Sequence, residues 1–523
     1  MGKAMKHKRV TLAIVLLLVL MVLAACSSSN APSDADGTNA TVDEGGAPEK
    51  SAGEDAVKEE DLEPLPISFM IPLYDAQPHR LEGNPAVENY ESLLNIDLSI
   101  DYVPSANYED KLSLTLAGGE MPDVLMVPAR SLKSTVFINA ARNDVFWDLT
   151  DEWEKYPNMK SIFNQTMLAN ISVDGRQYGI AIPRPTARVG MLYREDLFEK
   201  HAIKVPDTLE EFYEAAKLLK EKEPDIIPFS FVDQLGETPW NGIDLLTVSE
   251  GGFSIWGEVD GGLQPYYETE PHLTVLNTLR TMYSEQLINR DFAIVQGAQK
   301  KNLIKTGKAA MYFTAYDDLM GISDDLAQVM PDAKLALKPA FKELTNATSG
   351  HNGVFALPKS TVTTEEKRDA ILSYFERALD DEIRRARGYG IEGETYELVD
   401  GIPTFISEEI RTEYTTHVRA LSNTFINPTV TRLPTDTPLQ TQVKDAFEKY
   451  AELAVPNAID PFVSETYTER GGELDKILYD ARVKFIMGEL DEAGYASEIK
   501  KWRSQGGERI IEEYSEAFRR MKK

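Results

Sequence analysis

The chain has 523 residues and carries 85 Asp and Glu against 55 Lys and Arg, a formal net charge of −30 at pH 7. A surface that acidic disfavours nucleic acid and anionic headgroups as partners. The sole cysteine, Cys26, leaves no pair for an internal disulfide, and the length suffices for two or three domains.

The first nine residues include Lys3, Lys6, Lys8 and Arg9 and no acid, and residues 10–25 follow without a charge. A basic start, an apolar run and small residues form the pattern of an export leader. The run falls short of the roughly 20 residues that span a bilayer comfortably. It ends in Leu23-Ala24-Ala25-Cys26, which matches the bacterial lipobox, where the cysteine is acylated and becomes the first residue after cleavage. Each buried lipid methylene contributes about 0.8 kcal/mol, so two or three acyl chains hold a protein firmly. The expectation is a chain anchored through Cys26 to the outer face of the cell membrane, in a Gram-positive bacterium. Residues 27–62 contain ten acids, two lysines and almost no large apolar side chain, the composition of a disordered tether. Without the leader's four cations and the tether's −8, residues 63–523 carry −26.

Structure is predicted to begin at PISFMIPLYD, with Ile67, Phe69 and Ile71 in a buried strand that stops at Pro72. A helix over 84–94 follows, then NIDLSIDYVP, which alternates Ile96, Leu98, Ile100 and Tyr102 with polar residues, a strand with one wet face. Next come a helix ended by Gly118-Gly119 and the apolar strand 124–127. This alternation is the grammar of a mostly parallel sheet covered on both faces. The unit recurs. YGIAIPRPTARVGMLYREDLF reads as two strands with a crossing between them, and residues 205–222 as a helix with Asp207 and Glu210 at capping-box spacing. IIPFSFV is a strand, residues 270–288 a long amphipathic helix, and GKAAMYFTAYDD a strand feeding a turn. KLALKPAF and NGVFALPK read as strand crossings before a helix over 364–379. The last third is mainly helical, ending in stretches 490–502 and 508–521. The fold class expected is α/β, two lobes around a cleft.

Ligands of open parallel sheets bind beyond the carboxyl ends of the strands, which directs attention to the loops at 74–79, 128–132, 183–188, 232–242, 314–318 and 350–353. These loops hold no His-Glu-x-x-His, nucleophile elbow or phosphate-cradling glycine loop. The six histidines show no ligand spacing, and the calcium-like VDGGLQP and DGRQYG read as tight hairpin turns, so neither cofactor nor metal is expected. Asp317-Asp318 and Asp460 read as a solvated pair or cap rather than glycosidase carboxylates. The loops do offer aromatic and amide groups: Tyr74, Trp240 and Asn241, Tyr316 and Asp317, His351 and Asn352. Sugars lay apolar ring faces on aromatics, and about 100 Å² buried on an indole contributes ~2.5 kcal/mol at most. Packing is the competing reading for Trp240, and the favoured one for Trp147 and Trp256. Arg130, Arg184 and Arg188 stand nearby, and gathered at one cleft they would select an acid sugar such as a uronate.

Several segments in order now carry a resemblance: YEDKLSLTLAGGEMPDVLMV, DGRQYGIAIP, LYREDLFEKHAIKVPDTLEEFYEAAKLLK, GKAAMYF, NGVFALPKS, GIEGETYELVDG and FIMGELDEAGYASEIKKW. Behind a lipobox, the set resembles the bacterial extracellular solute-binding proteins of ABC importers, the family that includes maltose-binding protein, in its LipO-like lipoprotein branch. The resemblance implies a two-lobed, hinge-closing receptor that captures an oligosaccharide and delivers it to permease subunits, without catalysis. It places Arg130 where the first lobe contacts ligand, and Tyr316-Asp317 where relatives present an aromatic platform. Lobe 1 would take 63–183 and 341–405, and lobe 2 184–340 and 406–523, with hinges near 182–185, 337–340 and after Phe405. A peptide receptor, and a surface-anchored glycosidase or polysaccharide lyase, remain as alternatives.

Overall fold

The computed structural model describes residues 63–522 except 74–78, 234–240, 296–298, 300 and 433–435, so the leader, Cys26 and the tether lie outside the described residues. In chain order the strands are β1 (Leu65–Leu73), β2 (Ile96–Pro104), β3 (Val124–Pro128), β4 (Ile180–Pro183), β5 (Val189–Arg194), β6 (Ile227–Ser230), β7 (Trp256–Val259) and β8 (Gly262–Pro265). They continue as β9 (Ala309–Ala315), β10 (Leu335–Lys338), β11 (Thr345–Asn346), β12 (His351–Ala356), β13 (Tyr396–Val399), β14 (Ile402–Phe405) and β15 (Ala454–Val455). Two larger sheets organise them, in the orders β2-β1-β3-β12-β4 and β10-β5-β9-β6. The first is parallel from β2 to β3, with β12 antiparallel to β3 and β4. The second pairs β6 parallel to β9, with β5 antiparallel to β9 and β10. Mixed sheets between helical layers in two lobes agree with the expected class.

Local chemistry explains the elements. Asn84 caps helix Pro85–Leu94 by accepting from the amides of Ala86 and Val87, and Gly119 ends helix Tyr108–Gly118 in the left-handed region at φ 76°. Strand β1 runs through Pro72 to Leu73 rather than stopping, because β2 continues beside it after pairing with β3 has ended at Met70. The cap of helix Leu209–Lys222 is Thr208, one residue later than expected; its hydroxyl accepts from the Glu211 amide, and Glu211 accepts from the Asp207 amide. VDGGLQP is the β7–β8 hairpin, with Asp260 and Gly261 at positive φ.

Each sheet carries its own cores. Phe69 packs edge-on against Phe355, Tyr374 and Phe375 in the first lobe. Phe212, Phe229, Phe313 and Phe341 do the same in the second, where helices Glu465–Ile486, Glu492–Trp502 and Glu508–Met521 also pack. Two of the expected boundaries move. Leu337, Ala340 and Phe341 are buried in the second lobe's cores, so the chain leaves that lobe near 347–350, not 337–340. Ala420, Leu421 and Ile426 are buried with Ile67 and Phe69, so the third crossing follows Ile426, not Phe405. The crossings are stitched together: Arg184 donates its amide to Gly350, Thr348 to Thr186, and Ala347 to Val455.

The lobes also meet at residues 459–468. Ile459 and Phe462 pack on the second lobe's core and Val463 on the first's, while Thr135 donates its hydroxyl to the Thr468 carbonyl at 3.1 Å. Burial there pushes the Asp460 carboxyl up to about 7, against the pull of Lys133, whose own amine burial brings down to about 8. A carboxyl raised in the folded state stabilises it below the ordinary value, and that contribution is lost as pH rises through about 7. Asp460→Asn is therefore expected to stabilise the chain at pH 8 by about 1–2 kcal/mol. The gain should shrink towards pH 4, as paired denaturant titrations would read; a gain independent of pH would contradict the assignment.

Candidate functional site

A cavity of about 300 Å³ opens beyond the carboxyl ends of β6 and β9, at the edge expected for a ligand in an open sheet. Ser230 and Val232 line it from β6 and the turn that follows, Tyr312 to Ala315 from β9, Arg188 from the crossing before β5, and Asn241, Lys301 and Asp318 from the loops and a helix start.

Its polar groups are held in place. Arg188 donates to both carboxylate oxygens of Asp317, at 3.0 and 2.6 Å, a planar two-point pair. Lys301 lies 2.6 Å from Asp318, which also accepts from the Thr314 hydroxyl. Asn241 donates to Asp233 at 3.0 Å and accepts from the Ile243 amide, so its carboxamide cannot turn. Asp233 is fully buried and receives Nε and Nη2 of Arg482, both at 2.7 Å. Burial by itself favours the neutral guanidine, and the adjoining carboxylate keeps Arg482 charged. Ser230 is 1% exposed, and its hydroxyl has no hydrogen-bond partner among the described residues.

Of the residues singled out from the sequence, Arg188, Asn241 and Asp317 meet here. Tyr74 and Trp240 lie outside the described residues. Tyr316 is no platform: it is wholly buried, donates its hydroxyl to the Pro339 carbonyl and packs 5.5 Å from the Phe447 ring. Arg130 belongs to the first lobe, where its exposed guanidinium pairs with Glu109 at 2.5 Å. Arg184 occupies the first crossing. His351 opens β12 beside Pro183 rather than lining the cavity; its Nδ1 accepts from the Gly353 amide, and burial lowers its pKa to about 3, so it is neutral. Asn352 is the half-buried next residue of that strand. The three arginines are therefore not gathered at one place. Trp256 is core, edge-on to Tyr514 at 5.3 Å, and Trp147 donates to the Val362 carbonyl.

The sequence singles out neither Ser230, Thr314 and Lys301 nor the Asp233–Arg482 pair, and it reads Asp318 as one of a solvated pair, whereas Asp318 grips Lys301. Arg482 had a signal: it continues the apolar stripe of Leu474 and Leu478 at helical spacing, and a cation on a buried stripe needs a carboxylate.

The chain matches the family model described as bacterial extracellular solute-binding protein over residues 84–371. It is 31% identical over 464 residues to the polygalacturonan/rhamnogalacturonan-binding protein YtcQ of Bacillus subtilis, covering 87% of this chain and 92% of that one. Lipoprotein LipO of the same organism is 27% identical over 523 residues, covering 97% of each. Among solved structures, a solute-binding protein of Bifidobacterium longum infantis described as HMO-binding and ABC-transporter-associated aligns with TM-score 0.67 at 16% identity, over 87% of this chain and 98% of that one.

Proposed function

The chain belongs to the bacterial extracellular solute-binding proteins, and we propose that its solute is an oligosaccharide, captured between the lobes and passed to the permease of an ABC importer. The observation that carries this reading is the cavity beyond β6 and β9, where planar carboxylate, carboxamide and guanidinium groups and the Thr314 hydroxyl converge in fixed orientations. Sugar hydroxyls donate and accept at once, and such mixed planar groups satisfy both roles. YtcQ, with its printed polysaccharide ligands, supports the same class and makes acid-sugar glycans the first to try.

The role proposed is binding without turnover; the pairing of Arg188 with Asp317 and of Lys301 with Asp318 supports it. Residues 1–26 supply an export leader and an acylated Cys26, which anchors the receptor on the outer face of a Gram-positive cell membrane beside its permease; the likeness to LipO supports this. Closure of the lobes requires only that ligand bind the closed arrangement better than the open one.

A thermal-shift screen of the full chain against neutral oligosaccharides, oligogalacturonates and short peptides tests the class. At 100 times its dissociation constant a ligand stabilises the fold by about 2.7 kcal/mol. A rise with a glycan series and no product is expected. A rise with peptides alone would make the chain a peptide receptor, and glycan cleavage would make it an enzyme.

A further inference from the structure

Among the described residues, the cavity's cations are already paired before any ligand arrives. Its two cations, Arg188 and Lys301, are each held by one of two consecutive residues, Asp317 and Asp318. Among the described residues these two cations are matched by two carboxylates, and the Asp233–Arg482 pair behind Asn241 is likewise matched.

We propose that this cavity is a subsite for an uncharged sugar unit, with Asp318 and Lys301 as its specificity-determining pair. The proposal rests on the oligosaccharide reading above and says which unit of the glycan enters here. A carboxylate entering the cavity would stand among Asp317 and Asp318 as a third negative group. Its one gain, contact with Lys301 or Arg188, would replace an existing carboxylate partner by another, and it would leave water to do so. A hydroxyl escapes this conflict. It donates to Asp318 and accepts from Lys301 in the same position, leaving the ion pair intact. Any acid unit of the same glycan lies outside this cavity.

The test uses the full chain, Asp318→Asn and Lys301→Gln, titrated calorimetrically with neutral galactose oligomers and with oligogalacturonates of equal length. Ligand-free melting of each variant confirms that it is folded. The expected result is that the neutral series binds, that each substitution weakens it about tenfold, and that Asp318→Asn does not tighten oligogalacturonate binding. Tighter oligogalacturonate binding by Asp318→Asn would overturn the proposal, because it would show Lys301 waiting for a ligand carboxylate. So would unchanged affinity for the neutral series in both variants, or binding of oligogalacturonates alone. A chain that takes neither series sinks the oligosaccharide reading itself, and the subsite with it.

Discussion

Asp233→Asn should destabilise the folded chain by about 3–5 kcal/mol, the usual cost of leaving a buried cation without its counter-ion. Asp233 is fully buried and takes two hydrogen bonds from Arg482, whose side chain is only 8% exposed. No other acid is bonded to that guanidinium among the described residues, so the charge would be stranded inside the second lobe. The substitution reaches the cavity as well, because Asp233 orients the Asn241 carboxamide. Glycan affinity should fall along with stability. Neutralising both partners, in Asp233→Asn with Arg482→Gln, should recover much of the stability, since the stranded charge rather than the missing bond dominates the loss. Denaturant unfolding of the two single variants and the double variant reads this directly. A cost below about 1 kcal/mol for Asp233→Asn would show that water or a rearranged acid reaches Arg482.

The second large effect is expected at Gly353→Ala. Gly353 has φ 116°, in the left-handed half of the map, and a Cβ there would lie 2.0 Å from the Val127 carbonyl oxygen and 2.9 Å from Pro128 Cα. Both obstacles are backbone of β3, to which β12 is paired, so neither can swing aside. The strands must part or the chain must leave its path, at a cost of about 4 kcal/mol or more. Gly118→Ala, whose Cβ meets nothing within 4 Å, is the control and should stay within about 0.5 kcal/mol of the unmodified chain. Equal melting temperatures for the two variants would refute the account. Beside the candidate ligand residues His351 and Asn352, Gly353 is required by this close approach, and His351 has a neutral, buried seat at the start of the strand.

These cases also show where the sequence is informative. Caps, turns and one-faced strands were legible because their causes are local: Asn84 bonds amides two and three residues on, and Gly119 ends its own helix. The cavity was not, for two physical reasons. Strand β9 is buried at every residue from Ala309 to Ala315, so it has no polar–apolar alternation to tell which side chains face the cavity and which the core. Tyr316, just beyond it, stands where the resemblance implies an aromatic platform, and the strand's pattern carries nothing to show that it is core. The second reason is sequence distance. Arg188 and Asp317 are 129 residues apart, and Arg482 and Asp233 are 249 apart, so their pairing leaves no motif. Only the adjacency of Asp317 and Asp318 was visible, and two neighbouring acids on a turn read as solvated until each is seen to grip a different cation.

The interleaved path of the chain also dictates a timetable. A chain emerges from synthesis with its N-terminal end first, yet the core around Ile67 and Phe69 requires Phe355, Phe375 and finally Ile426. The core around Val189 and Phe229 requires residues up to Phe518. Neither lobe can therefore close early, and both must wait through long loop closures, which slow folding. For the same reason no single cut yields two self-sufficient halves: a fragment ending before residue 426 would carry two unfinished cores, each with an apolar face open to aggregation.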